Sequence, residues 1–213
     1  MIGLLLLSTF PVSVPGSVQK REGEKAPFFR NAIFLCAILS MVLYISLENG
    51  VGYFTESFFT HNLSSKDLGA YALSLYWIGN TVSRLIFSVR MKNLRNLLMI
   101  HYGATAALFA VLTFSASPYL CLALCGLIGF AYGPIWSALV ALATRQFPQQ
   151  SGSVSGLMMS AGAIGNTATP VLMGVISGWF SIRAGFLLMT IFAIGGAALA
   201  IISKKYKDSR KTV

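Results

Sequence analysis

Glu48 and Asn49 interrupt the apolar run LYISLENGVGYFTESFF at residues 43–59. A carboxylate in the middle of a membrane-length apolar segment costs roughly 2.5–3.5 kcal/mol to insert, so its default reading is functional. On a helix, Tyr44, Glu48, Gly52 and Glu56 recur every fourth residue and form one stripe, with Ser40 and Thr55 at its margins. Lipid is a poor neighbour for such a face. A carboxyl shielded from water holds its proton closer to neutral pH, which is what a proton carrier requires. Glu48 is therefore the candidate for solute binding or proton coupling; the structural alternative is a hydrogen bond to a neighbouring helix. Glu56 lies nearer the end of the run, where snorkelling or a loop contact accounts for it.

Three further stripes carry groups of the same kind. Tyr76, Asn80 and Arg84 share one face, with Trp77 and Ser83 beside them. Tyr132 and Trp136 stand one turn apart around Gly133 and Pro134, and Ser155, Met159, Gly162, Asn166 and Thr169 align farther on. Amides, phenols and indoles hydrogen-bond and stack on small polar solutes, although a lone Tyr or Trp also serves an interfacial belt. Convergence of the stripes makes Tyr44, Glu48, Asn49, Tyr76, Trp77, Asn80, Tyr132, Trp136 and Asn166 the candidate solute-binding residues. Glu48 is the candidate proton-coupling group and Arg84 a candidate gate. Soluble-type catalysis finds no support. His61 and His101 lack an acidic or thiol partner at a recognisable spacing, Cys121 and Cys125 lie one turn apart without further ligands, and no phosphate loop or nucleophile elbow occurs. No enzymatic activity, cofactor or metal is expected.

These stripes need helices, and the solvent of those helices is hydrocarbon. The chain has 213 residues, 55% hydrophobic and 10% charged, against roughly 25% charged in a soluble domain. A bilayer core about 30 Å thick takes about 20 apolar residues per helix. Six such spans are predicted, over 29–57, 68–89, 97–115, 118–143, 152–178 and 184–203. The opening MIGLLLLSTFPVSVP is too short to span and lacks the positive start and cleavage site of a signal peptide. The expected organisation is the remnant of a preceding helix at 1–15, a cytoplasmic linker at 16–28, a six-helix bundle at 29–203 and a basic tail at 204–213. Cys36, Cys121 and Cys125 fall inside apolar spans and read as buried small hydrophobes rather than disulfide partners.

The net charge of +10 is decided by where the cations sit. If the spans alternate, Lys20, Arg21, Lys25, Arg30, Arg90, Lys92, Arg95, Arg145, Lys204, Lys205, Lys207, Arg210 and Lys211 share one side, and Lys66 and Arg183 the other. This asymmetry predicts a multi-pass protein of the cell (inner or plasma) membrane with both termini cytoplasmic. Nucleic-acid binding is excluded, because no basic face with stacking aromatics occurs. The letters IGNT appear at 78–81 in the second span and at 164–167 in the fifth. Those two spans run in opposite directions, as a 3+3 inverted repeat requires. Gly129/Gly133, Gly152/Gly156 and Gly174/Gly178 have the spacing that lets helix backbones approach, and Pro134 and Pro170 can interrupt their helices where a cavity tolerates it.

The segments YISLENGVGYF, LYWIGNTVSRLIF, GLIGFAYGPIWSALVALATRQFP and SGLMMSAGAIGNTATPVLMGVIS together resemble the C-terminal six-helix half of a major facilitator superfamily transporter. Within it they look most like the fucose permease group of sugar:proton symporters. The resemblance runs over about 28–203 and departs where the family usually has Gly-Arg and this chain has Ser83-Arg84. It implies an all-α fold in which the first and fourth spans line a central cavity, the second and fifth form a moving seam, and the third and sixth face lipid. The partners it implies are the lipid bilayer, a small polar solute, protons, and a missing N-terminal six-helix half or a second copy of the chain. The competing readings are a drug or metabolite exporter of the same fold and a non-transporting scaffold or truncated product.

Overall fold

The computed structural model describes residues 28–88 and 93–209. The expected remnant at 1–15, all but the last residue of the linker and the final residues of the tail lie outside them. Six long helices carry the described chain: α1 Ala32–Asn62, α2 Lys66–Ser88, α3 Leu94–Phe114, α4 Pro118–Thr144, α5 Ser151–Trp179 and α6 Ile182–Ser209. Short 3-10 turns precede α1 and α5 at Phe28–Arg30 and Pro148–Gln150. The six predicted spans are these helices, with shifted ends. The first begins later and runs farther than 29–57, because Asn31 caps it by accepting from the amides of Ile33 and Phe34 at 3.0 and 3.2 Å. The last continues through part of the basic tail to Ser209. Ser117 and Pro118 start α4, the hydroxyl accepting from the Leu120 amide and the proline fitting the first helical position.

Five of these helices are long and apolar enough to cross a membrane. The exception, α2, has 23 residues, enough to span about 30 Å, but Lys66, Asp67, Asn80 and Arg84 lower its hydropathy. The polar stripe that singles α2 out is also what weakens it as an apolar span.

The helices pair as an inverted repeat. Along the bundle α2 packs on α4, α5 on α1, α3 on α4, α6 on α1, and α3 against α6. Exchanging α1 with α4, α2 with α5 and α3 with α6 turns the first four pairings into one another and the α3–α6 pairing into itself. The glycines and threonines of the repeated IGNT letters have the same job in both halves, whereas Asn80 is buried and Asn166 exposed. Gly79 of α2 lies against the carbonyl of Gly126 in α4, and Gly165 of α5 lies against the carbonyl of Val42 in α1, so a Cβ at either would collide with backbone. Thr81 and Thr167 each turn their hydroxyls back onto their own helices, at Trp77 and Ala163.

Gly129 and Gly133 bring α4 onto the α2 backbone at Tyr76 and Asn80, as their spacing predicts. The other two pairs behave differently: Gly152, Gly156, Gly174 and Gly178 face open space on α5. Pro134 removes an amide from the interior of α4. Close by, the Ala131 carbonyl accepts a 2.6 Å hydrogen bond from His101 Nδ1 on α3. Because a carbonyl can only accept, that imidazole nitrogen carries the proton. Tyr102, the next residue, donates to the Ser40 carbonyl at 2.8 Å and ties α3 to α1. Cys36, Cys121 and Cys125 are buried and free.

Candidate functional site

An open groove of about 620 Å³ runs between α1, α2 and α5. Its α1 wall carries Glu48, Asn49, Gly52 and Tyr53, its α2 wall Leu73 and Trp77, and its α5 wall Met159, Gly162 and Asn166. Four of the candidate residues, Glu48, Asn49, Trp77 and Asn166, thus line one open groove although they come from three helices. Of the α5 stripe, Met159, Gly162 and Asn166 reach the groove, while Thr169 is buried.

Behind Glu48 lies a layer of tyrosines and one arginine. The Glu48 side chain is 22% exposed, and its Oε1 lies 3.6 Å from Arg84 Nη2. The same Arg84 nitrogen donates to the Tyr44 hydroxyl at 2.8 Å. Tyr44 in turn stacks on Tyr132, with ring centroids 4.3 Å apart and planes inclined by 12°. The Tyr132 hydroxyl donates to the Tyr44 carbonyl. Tyr76 packs beside Tyr132 and against Trp77, at 6.0 and 5.3 Å between ring centroids. Arg84 therefore bridges a carboxylate that faces the groove and a phenol that does not. Its side chain keeps 40% exposure, so the pair sits at the boundary between water and the bundle interior.

Two other candidates are placed differently. Asn80 is buried beside the Tyr76 hydroxyl, but its amide makes no well-formed hydrogen bond there; the Ser83 hydroxyl and Arg84 Nε are likewise buried without one. A buried, unpaired polar atom costs about 1–3 kcal/mol, so this α2 stripe gathers groups that the described bundle does not fully satisfy. Trp136 is half-buried and packs against the apolar core rather than the groove. Asn49 spends one amide hydrogen on the Ile45 carbonyl of its own helix, at 2.9 Å.

Tyr53 joins the groove wall with 62% exposure, and the stripe through Glu48 does not contain it. It stands one turn beyond Asn49, so extending the stripe from Asn49 as well as from Glu48 finds it. Toward the end of α1 where Glu56 lies, a second open pocket is lined by Glu56, Lys66, Asp67, Tyr71 and Ser74.

The arrangement can hold a small solute by hydroxyl-to-amide hydrogen bonds and by stacking on exposed aromatic faces. It also places one ionisable carboxyl and its cationic partner on the wall. Comparison with known proteins agrees in kind. A family model described as Major Facilitator Superfamily matches residues 33–212. A search of curated proteins finds no match.

Proposed function

Because the chain belongs to the Major Facilitator Superfamily, whose members are membrane transporters, we propose that it moves a small, sugar-like polar solute together with protons by alternating access. The observation that carries this reading is Glu48, a carboxylate on the groove wall 3.6 Å from Arg84. With Glu48 ionised, Arg84 is shared between it and Tyr44. Protonation of Glu48 removes the attraction on one side, leaves Arg84 to Tyr44, and changes the charge of the wall that the solute meets. Asn49, Trp77 and Asn166 supply uncharged hydrogen-bonding and stacking groups, which suit hydroxyl-rich solutes. The resemblance to the fucose permease group supports the same class.

The groove has walls on α1, α2 and α5 and is open opposite them, so a second six-helix unit facing it would enclose the solute. An N-terminal half or a second copy fills that role, in the geometry of carriers that rock two units about a central site. Arg30, Arg95, Arg145, Lys204 and Lys205 gather at one end of the bundle, which supports a cytoplasmic position for that end.

The test replaces Glu48 with Gln and measures uptake of labelled sugar against an imposed pH gradient in membranes containing the complete carrier. The expected outcome is at least a tenfold loss of gradient-driven accumulation, with exchange of labelled for unlabelled solute retained. Accumulation that still follows the gradient as in the parent removes Glu48 from coupling.

A further inference from the structure

We propose that the surface where α3 begins and α6 ends binds an anionic glycerophospholipid, its phosphodiester held by Arg95, Lys204 and Lys205. This site is separate from the groove and independent of the transported solute. Arg95 Nε donates to the Ser203 hydroxyl at 3.2 Å, which ties the two helix ends together and fixes the guanidinium at the level of residue 203. Arginine offers five N–H donors in a planar fork matched to phosphate oxygens. Lys204 and Lys205 follow directly on α6, both exposed.

The surroundings of these cations suit a lipid better than a soluble anion. Tyr206 is 51% exposed, and tyrosine favours the headgroup level of a bilayer. Toward the middle of the bundle the exposed side chains become apolar: Ile202 and Ile201 on α6, and Ile100 on α3 at 68% exposure. At about 1.5 Å of rise per residue these isoleucines lie roughly 2–8 Å from the level of the Arg95–Ser203 bond, where an acyl chain descends from its phosphate. The opposite end of the bundle lacks this combination, because Lys66 and Arg183 are there accompanied by Glu56 and Asp67. Clusters of Lys and Arg at the headgroup level attract anionic lipids and leave zwitterionic ones largely unaffected.

Native mass spectrometry of the purified full chain, with phosphatidylglycerol and phosphatidylcholine added in equal amounts, tests the site. Phosphatidylglycerol is expected to be retained at least fivefold over phosphatidylcholine. That preference should fall to near unity in the Arg95→Gln/Lys204→Gln/Lys205→Gln variant and persist in Lys66→Gln/Arg183→Gln. If the triple variant loses helicity by circular dichroism, Lys204→Gln/Lys205→Gln, which keeps the Arg95–Ser203 bond, is expected to lower the preference at least twofold. Equal retention of the two lipids by the parent chain overturns the proposal, as does an unchanged preference in a folded variant. Neither result bears on Glu48 or on solute flux.

Discussion

At the scale of residues, the groove chemistry turns on Arg84 serving two partners. Arg84→Gln leaves Glu48 without its cation and the Tyr44 hydroxyl without its donor. Breaking a fully buried ion pair costs about 3–5 kcal/mol; this pair is partly open to water, so the cost is smaller. We expect the thermal midpoint of Arg84→Gln in detergent to fall by several degrees and that of Glu48→Gln/Arg84→Gln to recover part of the loss, since the double variant strands no charge. A double-mutant cycle on thermal midpoints checks this, and additive losses would show that the two side chains do not interact. Asn80 gives the opposite expectation. Its amide lies beside the Tyr76 hydroxyl without a well-formed hydrogen bond, and exchanging a poorly paired buried amide for an apolar group of similar shape is neutral or stabilising. Asn80→Leu should therefore melt at or above the parent temperature. A clear drop would show that the amide is satisfied in the membrane.

At the scale of elements, small residues fall into two populations that the spacing alone does not separate. Gly129 and Gly133 are occupied by the α2 backbone, whereas Gly152, Gly156, Gly174 and Gly178 face open space. Gly129→Val inserts bulk into a closed contact, and overpacking of that kind costs about 1–3 kcal/mol. Gly156→Ala, inside α5, meets nothing and gains helix propensity of about 0.8–1 kcal/mol. Thermal melts of the two variants should move in opposite directions, and a loss of stability in Gly156→Ala would place an unseen neighbour against α5. The IGNT echo belongs to this scale as well. Its glycines are the places where α2 and α5 cross the first helix of the opposite repeat, which explains why a residue without a side chain recurs there.

At the scale of the whole molecule, water must reach the groove while the tyrosine layer stays closed. Single cysteines at Tyr53 and Asn166 are expected to react with a membrane-impermeant maleimide at least tenfold faster than cysteines at Asn80 and Tyr132. The native thiols are buried and contribute a slow background. Fast labelling at Asn80, or sealed positions at both Tyr53 and Asn166, would contradict the groove as drawn. Labelling that slows when a sugar is added would further support the proposed solute class.

Much of this was legible in the chain itself. Apolar runs of membrane length fix five of the six helices, because hydrocarbon tolerates a backbone only when its hydrogen bonds close within the segment, and length and the polar stripe mark α2. Their polar stripes follow from the 3.6-residue period, which is why Glu48, Asn49, Trp77 and Asn166 could be nominated from position alone. Periodicity gives the face of a helix but not what stands opposite it. Asn80 and Trp136 share types and stripes with the groove residues, yet one lies buried without a well-formed hydrogen bond and the other in the core. The sequence offers Arg84 as a gate candidate but not its partners; packing of α2 beside α1 gives it Glu48 and Tyr44 at once. Burial and pairing are decided by the crossing of helices far apart in sequence, and only the tertiary structure contains those crossings.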